Sequence, residues 1–337
     1  MLRFNSSIQS ACLFLVMVSF GVLKSQAQQS TRPTWPSAPD TARIQFVGFI
    51  AQSGDVGAER SFLGKIWDVI VGSEAELDFL VQPVGIAVDS LERIFVADPG
   101  AACVHVFDRK EEDYEKLTEV IQGNLVTPIG VACSAGRIYV TDASLKKIVV
   151  YDEDFDPIFM FDSGMLRPTG IAVRDGLIYI SDTGEHRIAV FDLEGHSVGG
   201  FGKRGSNPGE FNFPVFLTVK ENLLVVDALN HRVQTLTPAG TFVSEFGMLG
   251  TEQGTFASPK GIAVDSDGNI YVSDALFDAF QIFDAAGQLL LVVGESGGGP
   301  GQFQSPSGIA IDQNDFIYVV DTLNRRVQLF QYLGKPE

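Results

Sequence analysis

A Pro-x-Gly-apolar-small-apolar pattern recurs along this chain at Pro83, Pro128, Pro168, Pro259 and Pro306, and a copy at Pro214 keeps the register without the Gly. About ten residues after each start, an apolar run ends in Asp: Asp98, Asp142, Asp182, Asp227, Asp274 and Asp321, spaced 44, 40, 45, 47 and 47 apart. Self-similarity at such a period means one supersecondary unit that buries its faces only against its neighbours. Each unit holds three short β-rich runs, as in residues 170–173, 177–181 and 187–192, and a fourth at 197–201. Turn signals such as Asp267-Gly268, Glu194-Gly195 and Ala239-Gly240 separate the runs. The first two runs are apolar throughout instead of alternating, so both of their faces are covered. A four-stranded sheet buried on both faces and repeated six times is a propeller blade. The expected fold is therefore all-β: a six-bladed β-propeller of four-stranded antiparallel blades starting near residues 83, 128, 168, 214, 259 and 306. The β-branched and aromatic content, without a helical period, excludes a helical solenoid.

Strand counting adds an expectation. The last unit ends at Tyr332-Leu333 after its third strand, while an unassigned apolar stretch, residues 42–50, precedes the first unit. That stretch is assigned as the missing outer strand, closing a single ring over residues 42–333 and leaving no open edge. Between it and the first blade, residues 61–71 place Phe62, Leu63, Ile66, Trp67, Ile70 and Val71 at helical spacing, which predicts a short amphipathic helix. Residues 28–41, with Pro33, Pro36 and Pro39, read as an extended leader outside the fold. Residues 1–27 read as an export signal: Arg3, an uncharged apolar run from Ala11 to Val22, then Ser25-Gln26-Ala27. The apolar run is shorter than the roughly 20 residues a membrane span needs, so no span is expected once the signal is cleaved. The expected location is periplasmic, extracellular or envelope-associated.

Charge bounds the partners. The chain has 24 basic and 42 acidic residues, a net charge of −18, and loss of Arg3 and Lys24 with the signal takes it to −20. Such a surface repels nucleic acid and anionic membrane. It suits a soluble protein whose partners are cationic or neutral. Cys103 and Cys133 remain outside the signal, and two cysteines make neither a disulfide framework nor a zinc module.

The repeat resembles that of NHL-repeat proteins. Asn230-His231-Arg232-Val233-Gln234 matches the name-bearing triplet, with Glu185-His186-Arg187 and Asn324-Arg325-Arg326 as close variants. The inter-blade connector matches too, as Phe201-Gly202, Gly205, Pro208-Gly209 and Phe211, and again as Gly298-Gly299-Pro300-Gly301 and Phe303. Blades one, two and five depart from the triplet, with Ala101-Ala102-Cys103, Leu145-Lys146-Lys147 and Phe277-Asp278-Ala279. The resemblance implies the propeller fold over residues 83–333 and leaves the activity open. The family includes RNA-binding, ubiquitin-ligase-associated and extracellular sensor domains as well as amidating lyases.

The loops joining strands two and three share a face with the connectors. That face is expected to carry the six repeated Asp residues and a set of candidate ligand- or partner-binding residues, His186, Arg187, His231, Arg232, Arg325 and Arg326, with Lys146 and Lys147 beside them. Guanidiniums can hold carboxylates or phosphates bidentately. The repeated Asp residues are read as structural, each accepting loop N–H groups, because function rarely needs six equal copies. A lyase site of the amidating kind needs several His on one zinc ion, and of four His only His186 and His231 are well placed. Residues 265–269 share the acidic-Gly spacing of a calcium loop, which a hairpin turn also explains. No nucleophile elbow, phosphate loop or His-Glu-x-x-His helix is present. The leading expectation is a non-enzymatic binding scaffold for a protein, peptide or small ligand, with no cofactor. The alternative is a metal-dependent hydrolase or lyase with zinc or calcium in the central channel.

Overall fold

A computed structural model describes residues 32–56, 78–162 and 164–334. The export segment, the 61–71 helix and the first residues of the leader lie outside them. The described chain forms six antiparallel blades of four strands, with a fifth added to blade six, and in blades one to five the strands run outward from the axis in sequence order. Blade one spans Gly85–Val88, Ile94–Asp98, Cys103–Asp108 and Asp113–Leu117. Blades two to five follow the same plan from Pro128, Pro168, Pro214 and Pro259. Among the described residues no helix is long and apolar enough to cross a membrane.

The repeated Gly has a steric cause. A Cβ at Gly85, Gly130, Gly170, Gly261 or Gly308 would lie 2.0 to 2.6 Å from a backbone oxygen of the next blade's innermost strand. The innermost strands therefore meet around the axis only because these positions lack side chains. Blade four has Phe216 at this place, and its ring lines the axial constriction instead. Neighbouring blades bury their faces against each other, as expected from the unbroken apolar runs. Phe95, Val104 and Val106 of blade one pack with Val131, Val140 and Val149 of blade two. Each fully buried side chain of this size contributes about 1.5–3 kcal/mol.

Blade six closes the ring as strand counting predicts. Its strands Pro306–Ile311, Phe316–Asp321 and Arg326–Tyr332 are completed by Ile44–Ile50. The pairing runs from Ile44 opposite Tyr332 to Ile50 opposite Val327, with a bulge between Phe46 and Gly48. Ile44 and Ile50 are fully buried, and Phe46 packs edge-on to Phe330 with ring centroids 5.7 Å apart. The leader departs from expectation. Thr34–Trp35 adds a fifth strand to blade six, paired with Gln45 and Ile44. Trp35 supplies the reason: its indole packs edge-on to Phe330 at 5.7 Å and lies against Gly301, where a Cβ would collide with it. The Pro content of this segment suggested a detached strand, but an aromatic ring with apolar surface to bury outweighs that tendency.

Candidate binding face

Every blade ends its second strand with a fully buried Asp whose carboxylate organises the loops above it. Asp98 accepts the N–H groups of Val81, Gln82 and Ala101 at 2.6, 2.9 and 3.0 Å. Asp142 holds Val126, Thr127, Ser144 and Leu145 in the same way, and Asp182 and Asp274 repeat the pattern. Each carboxylate thus ties the incoming connector to the turn between strands two and three. Charge-assisted bonds of this kind are worth about 1.5–3 kcal/mol each. The turn then passes through one residue in the left-handed region in all six blades, Ala102, Lys146, His186, His231, Asp278 and Arg325, with φ between 50° and 56°.

In blades four and six the Asp is shared differently, and this accounts for the Asn-His-Arg-Val-Gln motif. Asp227 accepts one connector N–H, from Asn212, and otherwise binds Asn230, Arg232 and Gln234. The Arg232 guanidinium continues to the carbonyls of Ser206, Asn207 and Glu210, while Gln234 grips Gly209 N–H and Glu210 C=O. Arg326 and Gln328 repeat this against Gly298, Gly299, Gly301 and Gln302. The Gly-rich connector and the Arg–Gln pair are two halves of one clamp. The remaining connector N–H groups go to the preceding blade: Phe213 donates to His186 Nδ1 at 3.0 Å, and Ser305 donates to Asp278 at 2.8 Å. The corresponding N–H above His231 belongs to Ser258, which Asp274 already holds, so His231 Nδ1 is left buried without a partner.

Of the six side chains expected to face a partner, Arg232 and Arg326 are therefore buried in the clamp, with side chains 8% and 11% exposed. His186 is engaged with the next connector, and Arg187 lies 3.8 Å from Asp182. Arg325 and Lys146 remain exposed at the left-handed turn position.

A different set of residues dominates the surface of this face. Leu229, Leu276 and Leu323 stand two residues after the Asp in blades four, five and six, and Val81, Val126 and Leu166 stand two residues before the Pro in blades one, two and three. The two positions meet in space: a Cβ on Gly184 would lie 2.6 Å from Leu166 Cβ, and one on Gly100 would lie 3.0 Å from Val81. Each blade therefore presents one aliphatic side chain at the same place, and all six are 44% to 72% exposed. Met248, Leu249 and Phe79 on the connectors are exposed as well. No local motif marks the ring, because two different sequence positions supply one spatial position.

The axis is lined by the backbone and mainly aliphatic side chains of the innermost strands. Ile86, Val131, Ile171, Phe216, Leu217 and their neighbours narrow it to about 40 Å³ at the Gly collar. Toward the opposite face it widens to about 340 Å³, walled by aliphatic side chains apart from Cys133, Thr218, Arg174 and Lys220. Among the described residues no three His, Cys, Asp or Glu side chains converge in metal-binding geometry. The Asp265 carboxylate accepts from Asn269 N–H, Asn269 Nδ2 and Tyr271 Oη, the hairpin use of the 265–269 segment.

Blade one replaces the clamp's Arg and Gln with Cys103 and His105. His105 lies 3.5 Å from Asp98 and 3.4 Å from Cys103 Sγ, and its Nδ1 meets Tyr114 Oη at 2.7 Å. Burial raises the Asp98 pKa, but His105 and the three N–H groups outweigh it and hold the carboxyl below its usual range. Burial, with Asp98 nearby, pushes the Cys103 thiol up to about 12, and burial raises Cys133 as well. Both cysteines are unpaired.

A family model described as a six-bladed beta-propeller matches residues 256–334, and one described as the NHL repeat matches residues 165–191. No curated protein matches the chain by sequence. Among solved structures, a structural-genomics protein of unknown function from Bacteroides thetaiotaomicron aligns with a TM-score of 0.59 at 16% identity, over 75% of this chain and 70% of its own. The protein XC5397 from Xanthomonas campestris, described as a gluconolactonase, aligns at 0.59 and 15%, over 75% and 86%. Virginiamycin B lyase from Staphylococcus aureus aligns at 0.55 and 14%, over 75% and 96%. At these identities the likeness shows the fold alone. The blade plan, the Asp-capped turns and the two family matches agree: this chain is a six-bladed β-propeller, and its residues 165–191 match the NHL repeat.

Proposed function

We propose that this chain is an exported, non-enzymatic scaffold that docks a protein or peptide partner on the face formed by its connectors and strand-two-to-three turns. The ring of six exposed aliphatic side chains carries the reading. Large exposed apolar patches on monomeric proteins mark interaction surfaces, and the same place in each blade carries an exposed aliphatic side chain. Here every blade contributes, although the residues come from two positions of the repeat. Aliphatic contacts flanked by the exposed Arg325 and Lys146 give the apolar centre and polar rim of a protein interface. Among the described residues no group of three His, Cys, Asp or Glu side chains favours the alternative, a metal-dependent hydrolase or lyase at the axis. Residues 1–27, read as a signal, support export.

Affinity capture from the native envelope fraction and medium tests the proposal. The bait is the mature chain, and the control carries Leu229→Ser, Leu276→Ser and Leu323→Ser together. These side chains are exposed, so the control keeps its thermal midpoint. A partner retained by the bait and lost by the control is the expected result. A partner retained equally by both would place docking elsewhere.

A further inference from the structure

Lys260 occupies the place in blade five that Val84, Ile129, Thr169, Val215 and Ser307 hold in the other blades, directly before the Gly collar. It is the one cation in that inner ring. Among the described residues its ammonium makes no hydrogen bond or ion pair, and the Asp274 carboxylate in the same blade accepts the N–H groups of Ala257, Ser258, Leu276 and Phe277. Burial lowers the Lys260 pKa, with Asp274 acting against it. On the same face the side chains of Lys146, Lys147 and Arg325 also lack hydrogen-bond and ion-pair partners among the described residues, although the chain has 42 acidic residues and 24 basic ones.

Three arginines of the opposite face are paired with acids. Arg93 pairs with Asp89 at 2.7 Å, Arg174 with Asp175 at 3.4 Å, and Arg137 with Glu194 at 3.7 Å. That face is also acidic: the two blade-one hairpins alone hold Asp89, Glu92, Asp108, Glu111, Glu112 and Asp113. Other cations of the connector face are paired with acids, Arg187 with Asp182, Arg232 with Asp227 and Lys203 with Glu210, so Lys260 stands out among them, and a partly buried ammonium without a partner costs desolvation that a ligand carboxylate would offset.

We propose that the segment docked on this face carries a carboxylate, from a side chain or a chain end, that meets Lys260 at the axis while flanking apolar side chains rest on the aliphatic ring. The occupant is an apolar peptide segment of a partner protein that brings this one carboxylate to Lys260, a local exception to the cationic or neutral partners that a net charge of −18 favours. The Phe216-lined constriction of about 40 Å³ stops it from threading the channel. This inference rests on the docking role proposed above and adds the partner's chemistry.

Panning a displayed library of random peptides on the mature chain tests it, followed by affinity measurements on synthetic copies of the enriched sequences. The expected peptides join Asp, Glu or a free C-terminus to Leu or Phe. Binding should weaken at least about tenfold in Lys260→Met, survive in Lys260→Arg, and fall as salt rises across the range where screening acts. Lys110→Met on the acidic face should leave it unchanged. Asp→Asn peptides and amidated peptides separate a side-chain carboxylate from a terminal one. Neutral peptides that are lost with the triple Leu→Ser variant but keep their affinity for Lys260→Met would overturn the carboxylate while leaving the docking role standing. Peptides indifferent to the triple variant would overturn the docking role itself. Thermal midpoints confirm that each variant is folded.

Discussion

Phe46→Ala tests how much of the fold depends on the closing strand. Phe46 is 7% exposed, sits in one cluster with Phe280, Phe303 and Phe330, and stacks beside Phe49 at 4.9 Å. Truncating a buried Phe costs about 3–5 kcal/mol. Over the roughly 300 residues of the ring, an unfolding entropy of about 2.1 cal/mol/K per residue turns this into a fall of about 5–8 °C in thermal midpoint. Phe49→Ala is the internal comparison. Its ring is 38% exposed and contributes a cation–π contact with Arg326 at 4.1 Å, worth about 0.5–1 kcal/mol at such a site. Its midpoint should fall by about 2 °C or less on the same scale. Differential scanning calorimetry of both variants decides the matter. Equal small shifts would refute the idea that residues 44–50 close the ring through their buried face, and the deletion of residues 42–50 should then also be tolerated.

Three further outcomes follow from the geometry. Gly261→Ala places a Cβ 2.3 Å from Ser307 O, so the blades must part at a cost of about 1–3 kcal/mol. Gly48→Ala, with nothing within 4 Å, should leave the midpoint unchanged, and equal effects in the two would discredit the collar. The Asp98 carboxyl titrates lower in the fold than in the unfolded chain, where its pKa is about 3.9. Its contribution is therefore present above pH about 4 and is lost as pH falls through the folded value. Asp98→Asn should flatten the acid limb of a midpoint-versus-pH curve, and an unaltered limb would contradict the role given to its N–H and His105 contacts. Elemental analysis of the purified mature protein should find no stoichiometric zinc or calcium, with the midpoint unmoved by EDTA. One equivalent of bound metal would favour the hydrolase or lyase reading.

The blades were legible because their constraint is periodic. The Pro, the Gly and the terminal Asp recur wherever innermost strands meet and wherever a connector needs its N–H groups capped. The closing strand was legible because a ring with one strand too few at its end needs one at its beginning. Trp35 was missed because the Pro residues around it dominate a local reading, whereas its partners, Phe330 and Gly301, lie almost three hundred residues away. The site was less legible. Arg232 and Arg326 read as free guanidiniums until the Gly-rich connectors are seen to turn their carbonyls toward them. The aliphatic ring was hidden because Leu166 and Leu229 hold unlike places in the repeat and become equivalent only in space. His105 stands where Gln234 and Gln328 stand and lies 3.5 Å from the Asp that they bond, a substitution visible only once the blades are superposed.

The central claim is that the connector face is the working surface and the opposite, acidic face is not. Hydrogen–deuterium exchange of the mature chain, alone and with a captured partner, tests it most directly. The account predicts slowed exchange in the turns at residues 99–102, 228–231, 275–278 and 322–325, and none in the hairpins at 108–113, 152–156 and 192–196. Protection confined to those hairpins would contradict it.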